Sequence, residues 1–304
     1  MYDVIIIGGG PSGITAGIYA KRSGLKSLII EKSNIGGQVI NTYEIKNFPT
    51  YENISGADFC MKLYDQAQAN ELEIINDEVL SVSLTEDVKV VKTVNEEFKA
   101  KCVIICTGTK SRNLGLIDEE KYIGKGISYC ALCDGNFFKD KIVCVVGGGD
   151  SAMEDAIYLG GICKKVYVLN RSDKLRAQNI LQESLNKNIE KNHNIEVLFN
   201  CKVEKLYGDE FLNSVDVCKN GKITNLKVDG LFLAIGKDPD TKLFENQIKL
   251  DQNKYILVDN NLQTNLKGVY AGGDCTQKLI RQIITACNDG AVCATNVNNY
   301  LKEN

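Results

Sequence analysis

The chain has 304 residues, 44% hydrophobic and 25% charged, with a formal net charge of -3, a length that accommodates about two domains. Its pI of about 5.5 gives no electrostatic pull on nucleic acid, and no apolar run reaches the ~18 residues of a membrane span. The opening Met1-Tyr2-Asp3-Val4 carries no basic leader, so a cytoplasmic protein without nucleic-acid or membrane partners is expected.

Asp3 to Ile7 reads as a buried β-strand. It is followed by the glycine loop Gly8-Gly9-Gly10-Pro11-Ser12-Gly13, a helical pattern from Ile14 to Arg22, and a second strand, Leu28 to Ile30, ending at Glu31. This is strand, loop, helix and strand, with G-x-G-x-x-G at Gly8, Gly10 and Gly13 and an acid closing the unit. Such glycines let main chain approach a pyrophosphate, the helix N-terminus supplies N–H donors, and the acid accepts ribose hydroxyls. The pattern recurs: Ile142 to Val146, the loop Gly147-Gly148-Gly149-Asp150-Ser151-Ala152, a helix from Met153 to Leu159, and a strand from Lys165 to Leu169. Glu31 follows Gly8 by 23 positions, and Asn170 follows Gly147 by the same 23. The repeat predicts two dinucleotide-binding domains.

Cys102 to Cys106, before Thr107-Gly108-Thr109, and Leu231 to Ile235, before Gly236-Lys237-Asp238-Pro239, read as strands returning to each sheet. Glu73 to Phe98 and Ile195 to Val228 alternate apolar and polar residues and are expected to be antiparallel ribbons or meanders. Val269 to Asp274 is a strand ending in Gly-Gly-Asp, and Ile280 to Tyr300 is mostly helical. The expected fold class is α/β, with two Rossmann-like, three-layer ββα domains, the second inserted into the first. The expected boundaries are 1–110 and 237–304 for the first domain and 111–236 for the inserted one.

There are 12 cysteines, one histidine and no tryptophan. Ten cysteines stand singly among apolar residues and read as small buried hydrophobes, which suits a reducing, oxygen-poor setting. His193, in a polar run, reads as a surface residue. The remaining pair forms Cys130-Ala131-Leu132-Cys133-Asp134, with Cys133 14 positions before Gly147. Half a zinc site and two structural thiols are the alternatives. The first lacks a second ligand pair, so no metal is expected; the second leaves Asp134 and Gly135 unexplained. A redox dithiol beside a proton-carrying acid is the favoured reading.

These motifs in this order, with Gly36-Gly37-Gln38, Asn47-Phe48-Pro49, Gly272-Gly273-Asp274 and Arg281-Gln282, resemble the low-molecular-weight thioredoxin reductase family over essentially the whole chain. The resemblance implies FAD in the discontinuous domain, a pyridine nucleotide in the inserted one, a homodimer, and a domain rotation presenting the dithiol in turn to flavin and to thioredoxin or a thioredoxin-like protein. It implies FAD contacts from Gly8, Gly10, Pro11, Ser12, Gly13, Glu31, Gly37, Gln38, Asn47, Thr107, Gly108, Gly273, Asp274, Arg281 and Gln282. It implies Cys133 as the flavin-facing thiol, Cys130 as the thiol that exchanges with the protein disulfide, and Asp134 as general acid and base. For the nucleotide it implies Gly147, Gly149, Asp150, Ser151, Arg171 and Arg176.

The chain departs from the family where the donor binds. The usual H-R-R-x-x-x-R stands here as Asn170-Arg171-Ser172-Asp173-Lys174-Leu175-Arg176. Loss of one phosphate-gripping arginine weakens NADPH by roughly 1–3 kcal/mol, the scale of a charged hydrogen bond. NADPH remains the leading donor. The alternatives are ferredoxin with a degenerate nucleotide site, NADH, a dithiol oxidase, a non-catalytic redox sensor, and a ferredoxin–NADP reductase-like flavoenzyme that does not need the dithiol.

Overall fold

The computed structural model describes residues 1–42, 45 and 47–303, and for Asn41 and Cys133 the main chain only. The chain divides into two compact units. One comprises Met1–Lys110 and the chain from Asp238 onward; the other is Ser111–Lys237. The two passages between them, Thr109–Ser111 and Lys237–Pro239, pair as a short ribbon.

In the first unit, Tyr2–Ile7 lies between Ser27–Glu31 and Glu97–Ile105, parallel to both. Because side chains alternate across a strand, one run fills two cores. Val4 and Ile6 enter a core with the helices Pro11–Arg22, Gly56–Ala69 and Ile283–Glu303, while Ile5 and Ile7 enter a core on the opposite face. A near-continuous apolar strand is what a sheet covered on both faces requires. Glu97–Ile105 is long enough to serve two partners along one edge. Its first half pairs antiparallel with Lys89–Thr93, and its second half pairs parallel with Val269–Ala271.

The second unit repeats this plan. Ile142–Val146 lies between Lys165–Asn170 and Gly230–Leu233 in a parallel sheet. Val143 and Val145 face the core that holds the helix Asp150–Gly160, and Cys144 and Val146 face the core of the meander Cys201–Gly208, Leu212–Lys219 and Lys222–Lys227.

The expected ribbons need correction at their first strands. Ile74–Asn76 is not part of a meander but pairs parallel with Ser27–Glu31. Ile195–Phe199 likewise pairs parallel with Lys165–Asn170. Parallel neighbours need a crossover, and two helices absent from the sequence reading provide it: Gly56–Ala69 and Asn179–Asn192. The first is capped by Ser55, whose Oγ accepts the Asp58 N–H at 3.0 Å. It buries Phe59, Cys60, Leu63 and Ala67, one helical stripe.

Asp155 is a carboxylate set into the helix Asp150–Gly160. Burial pushes its pKa up to about 7, Glu154 pushes the same way, and Lys237 opposes them. A carboxyl raised in the folded state destabilises folding once the unfolded chain ionises and the native one does not. The penalty therefore starts near the ordinary carboxylate value and grows until pH 7. Asp155→Asn should raise the Tm by about 2–4 °C at pH 8, with the gain shrinking towards pH 4; scanning calorimetry across that range checks it.

Candidate active site

The first glycine loop is shaped by a close approach. Gly8 has φ +108°, and a Cβ there would lie 2.3 Å from the Cys106 carbonyl oxygen. Only glycine meets both conditions. Its N–H reaches the Ile30 carbonyl at 2.8 Å, which ties the loop to the second strand. Gly10 then caps the helix Pro11–Arg22 without any side-chain cap, and Pro11 takes the first helical position. Space is open where a Gly10 Cβ would point. An uncapped helix end facing open space offers N–H groups and a positive dipole end to a pyrophosphate. Ser12 and Gly13 are buried there, and Ser12 Oγ accepts from the Cys106 thiol at 3.4 Å. Glu31, 8% exposed, accepts from Gly9 N–H at 2.6 Å, Ser33 N–H at 2.8 Å and Ser33 Oγ at 3.1 Å. Three donors leave one of about four acceptor positions for a ribose hydroxyl. These features fit the adenosine diphosphate portion of FAD.

The remaining first-unit residues form a second group. Gly273 N–H donates to Asp289 Oδ2 at 2.7 Å, and Lys278 pairs with the same carboxylate inside the protein. Arg281 lies over the Tyr255 ring at 3.9 Å and donates to the carbonyls of Asp274 and Thr276. Asn47 Nδ2 donates to Gln282 Oε1 at 3.0 Å, so two residues far apart in sequence meet. Thr107 Oγ1 donates to the Asp240 carbonyl at 2.7 Å, and Gly108 accepts from Asp240 N–H at 3.0 Å. Gly37 and Gln38 open a 3-10 turn, Gly37–Asn41, after Gly36 in the left-handed region. Sequence reasoning missed Asp289 and Lys278. An acid on the small-residue face Ala286, Asp289, Gly290 and Cys293 was the available signal, because a buried charge needs a partner.

The second glycine loop reproduces the first. Gly147 has φ +151°, and its Cβ would lie 2.3 Å from the Ala234 carbonyl oxygen. Gly149 caps the helix Asp150–Gly160 without side-chain help and faces open space. The residues beyond differ. Asp150 turns its carboxylate to Gln178, accepting from N–H at 2.8 Å and Nε2 at 2.7 Å. Asn170, 3% exposed, donates to the carbonyls of Ser172 and Lys174 at 3.2 and 2.9 Å and to Ser172 Oγ at 3.2 Å. Arg176 N–H closes the loop onto the Gly148 carbonyl at 2.7 Å. Ser151 and the side chains of Arg171, Lys174 and Arg176 are exposed. None of these three cations forms an ion pair among the described residues.

Cys130 is disulfide-bonded, whereas ten other cysteines are free. Cys133 lies in the short helix Ala131–Asp134, its side chain outside the described residues. Most free thiols are buried, and burial pushes Cys60, Cys163 and Cys275 each up to about 11, out of reach of thiolate chemistry at neutral pH. Asp134 is held by a neighbour that the sequence did not mark: Ser128 Oγ donates to Asp134 Oδ2 at 2.6 Å. His193 is exposed and ends the helix Asn179–Asn192 in the left-handed region.

Residues 2–290 match the pyridine nucleotide-disulphide oxidoreductase family. The chain is 38% identical to a thioredoxin reductase of Peptoclostridium acidaminophilum, over 100% of this chain and 98% of that protein. A solved Lactococcus lactis thioredoxin reductase superposes with a TM-score of 0.92 at 37% identity, covering 100% of both chains. A ferredoxin-flavin thioredoxin reductase of Clostridium acetobutylicum superposes with a TM-score of 0.55 at 26% identity, covering 100% of this chain and 99% of that one.

Gly8→Ala drives a methyl into the Cys106 carbonyl and disfavours the loop's backbone angle. It should lower flavin retained through gel filtration at least tenfold, read from the 450 nm absorbance per chain. Asp289→Ala leaves the partly buried Lys278 without its carboxylate partner and should lower both flavin content and Tm.

Proposed function

The chain belongs to the pyridine nucleotide-disulphide oxidoreductase family, and we propose that it is an FAD-dependent thioredoxin-disulfide reductase taking its electrons from NADPH. One observation carries the proposal: Cys130 stands in a disulfide within a C-x-x-C-D turn, in a chain whose ten single cysteines are free. A dithiol that can be oxidised among thiols that stay reduced is the arrangement of a redox centre.

FAD, when bound, carries two electrons between the nucleotide and the dithiol. The chain's own residues do the rest. Gly8, Gly10, Pro11, Ser12 and Gly13 receive the pyrophosphate and Glu31 the ribose. Gly37, Gln38, Asn47, Thr107, Gly108, Gly273, Asp274, Arg281 and Gln282 orient the remainder. Two electrons and two protons convert the Cys130–Cys133 disulfide to two thiols, with Asp134 moving a proton. The Cys130 thiolate attacks the thioredoxin disulfide, one sulfur of which leaves as a thiol. Cys133 then resolves the mixed disulfide, releasing reduced thioredoxin and restoring the starting bond. Each cycle therefore moves two electrons.

Gly147, Gly149, Asp150 and Ser151 receive the nucleotide pyrophosphate on the helix N-terminus. Arg171 and Arg176, with Lys174, form a cationic surface for the 2′-phosphate that partly replaces the arginine missing at Ser172. The finer assignments are a homodimer and a reducing, cytoplasmic setting. Sedimentation should give twice the 33.5 kDa of one chain.

Anaerobic mixing with NADPH should bleach the flavin absorbance within seconds and expose two further thiols per chain to iodoacetamide, located by mass spectrometry at Cys130 and Cys133. Bleaching by reduced ferredoxin and by neither NADPH nor NADH would overturn the donor. Turnover of thioredoxin that survives Cys130→Ser with Cys133→Ser would overturn the dithiol route. Arg176→Ala should raise the KM for NADPH roughly tenfold, the scale of one charged hydrogen bond, with kcat nearly unchanged.

A further inference from the structure

Ser128 lies two residues before the dithiol, at the end of the short strand Ile127–Ser128, which pairs with Gly230–Leu233. It is 4% exposed, and nothing in the C-x-x-C-D motif calls for it. Its hydroxyl nevertheless meets three groups of the redox turn. It accepts the Cys130 N–H at 3.0 Å, lies 3.2 Å from the Cys130 carbonyl oxygen, and lies 2.6 Å from Asp134 Oδ2. Asp134 N–H closes the same turn onto the Cys130 carbonyl at 3.1 Å.

A hydroxyl has one proton and two lone pairs. While Asp134 is a carboxylate, the shortest contact takes that proton, since a hydrogen bond to an ionised acceptor is the stronger one. One lone pair remains occupied by the Cys130 N–H. Ser128 thereby fixes one carboxyl oxygen of Asp134 to the main chain of the residue whose sulfur reacts. A freely rotating carboxyl would point at the dithiol only part of the time, and proton transfer requires hydrogen-bond reach.

We propose that Ser128 is a positioning residue for the proton step of the dithiol: it engages Asp134 Oδ2 and leaves Oδ1 as the oxygen that exchanges a proton with sulfur. This rests on the reading of Asp134 as the general acid and base. In the reductive direction the S–S bond breaks and two electrons arrive from the reduced flavin. One proton leaves Asp134 Oδ1 for the departing sulfur and water supplies the second, which leaves Asp134 a carboxylate. In the oxidative direction Oδ1 takes the proton back.

The test uses the full-length holoenzyme and the variants Ser128→Ala, Ser128→Thr, Asp134→Asn and Ser128→Ala with Asp134→Asn. Flavin content first establishes that each is folded. The bound flavin is then photoreduced without any nucleotide, and release of the Cys130 thiol is timed by quenching with iodoacetamide. Steady-state turnover of oxidised thioredoxin is measured separately. Ser128→Ala should slow thiol release and kcat about tenfold with the KM for thioredoxin within twofold, and Ser128→Thr should recover to within threefold of the wild type. The double variant should be no slower than Asp134→Asn, because Ser128 acts through Asp134. An unchanged thiol-release rate in Ser128→Ala, or a tenfold loss also in the Asp134→Asn background, would overturn the inference. A wild-type enzyme that releases the thiol but leaves thioredoxin oxidised would overturn the substrate assignment alone, and thiol release would still decide the role of Ser128.

Discussion

Both units are organised around one steric constraint: the main chain of a glycine loop packed onto the carbonyl that ends a neighbouring strand. Gly8 meets Cys106 and Gly147 meets Ala234, each with room for a hydrogen and none for a methyl. That contact sets where the following helix begins, and so where its N–H groups point. The alternation of Val4 and Ile6 against Ile5 and Ile7 anchors the strand on both faces, which keeps the loop from shifting along it. Interiors at this packing density transmit displacement rather than absorb it.

From that common frame the two units diverge where their second strands end. Glu31 turns back and accepts from the glycine loop. Asn170 turns forward and donates to the loop that follows, so its amide organises Ser172 and Lys174 instead. An acid beside a 2′-phosphate would repel it, whereas a neutral amide that folds a cation-bearing loop does not. On the proposed function, this change of side-chain chemistry is what would let the repeated motif serve two different dinucleotides.

The redox turn shows how much of a site depends on residues outside its motif. Cys130, Cys133 and Asp134 announce themselves by spacing. Ser128 has no sequence signal, because a serine ending a two-residue strand resembles any other. Its contact with Asp134 arises from a turn that brings position 128 against 134. Asp289 and Lys278 are similar: one stands on a helix and one in a loop, and only their burial against Gly273 makes them a pair.

The sequence by itself determined the two glycine-loop units, their equal spacing, the C-x-x-C-D segment and the family, because each depends on local spacing and on residue types with narrow physical uses. It also marked Asp3 to Ile7 as a buried strand. Tertiary structure decided what depends on distant partners. Ile74–Asn76 and Ile195–Phe199 fall within stretches that read as meanders, yet join the parallel sheets because helical crossovers deliver them there. Asn47 meets Gln282 across 235 positions of chain, and Ser128 meets Asp134 through the local turn of the dithiol segment. Periodicity specifies which face of a strand is buried, but not which neighbour it pairs with; that choice is made by the crossover and by the surface already waiting to be covered.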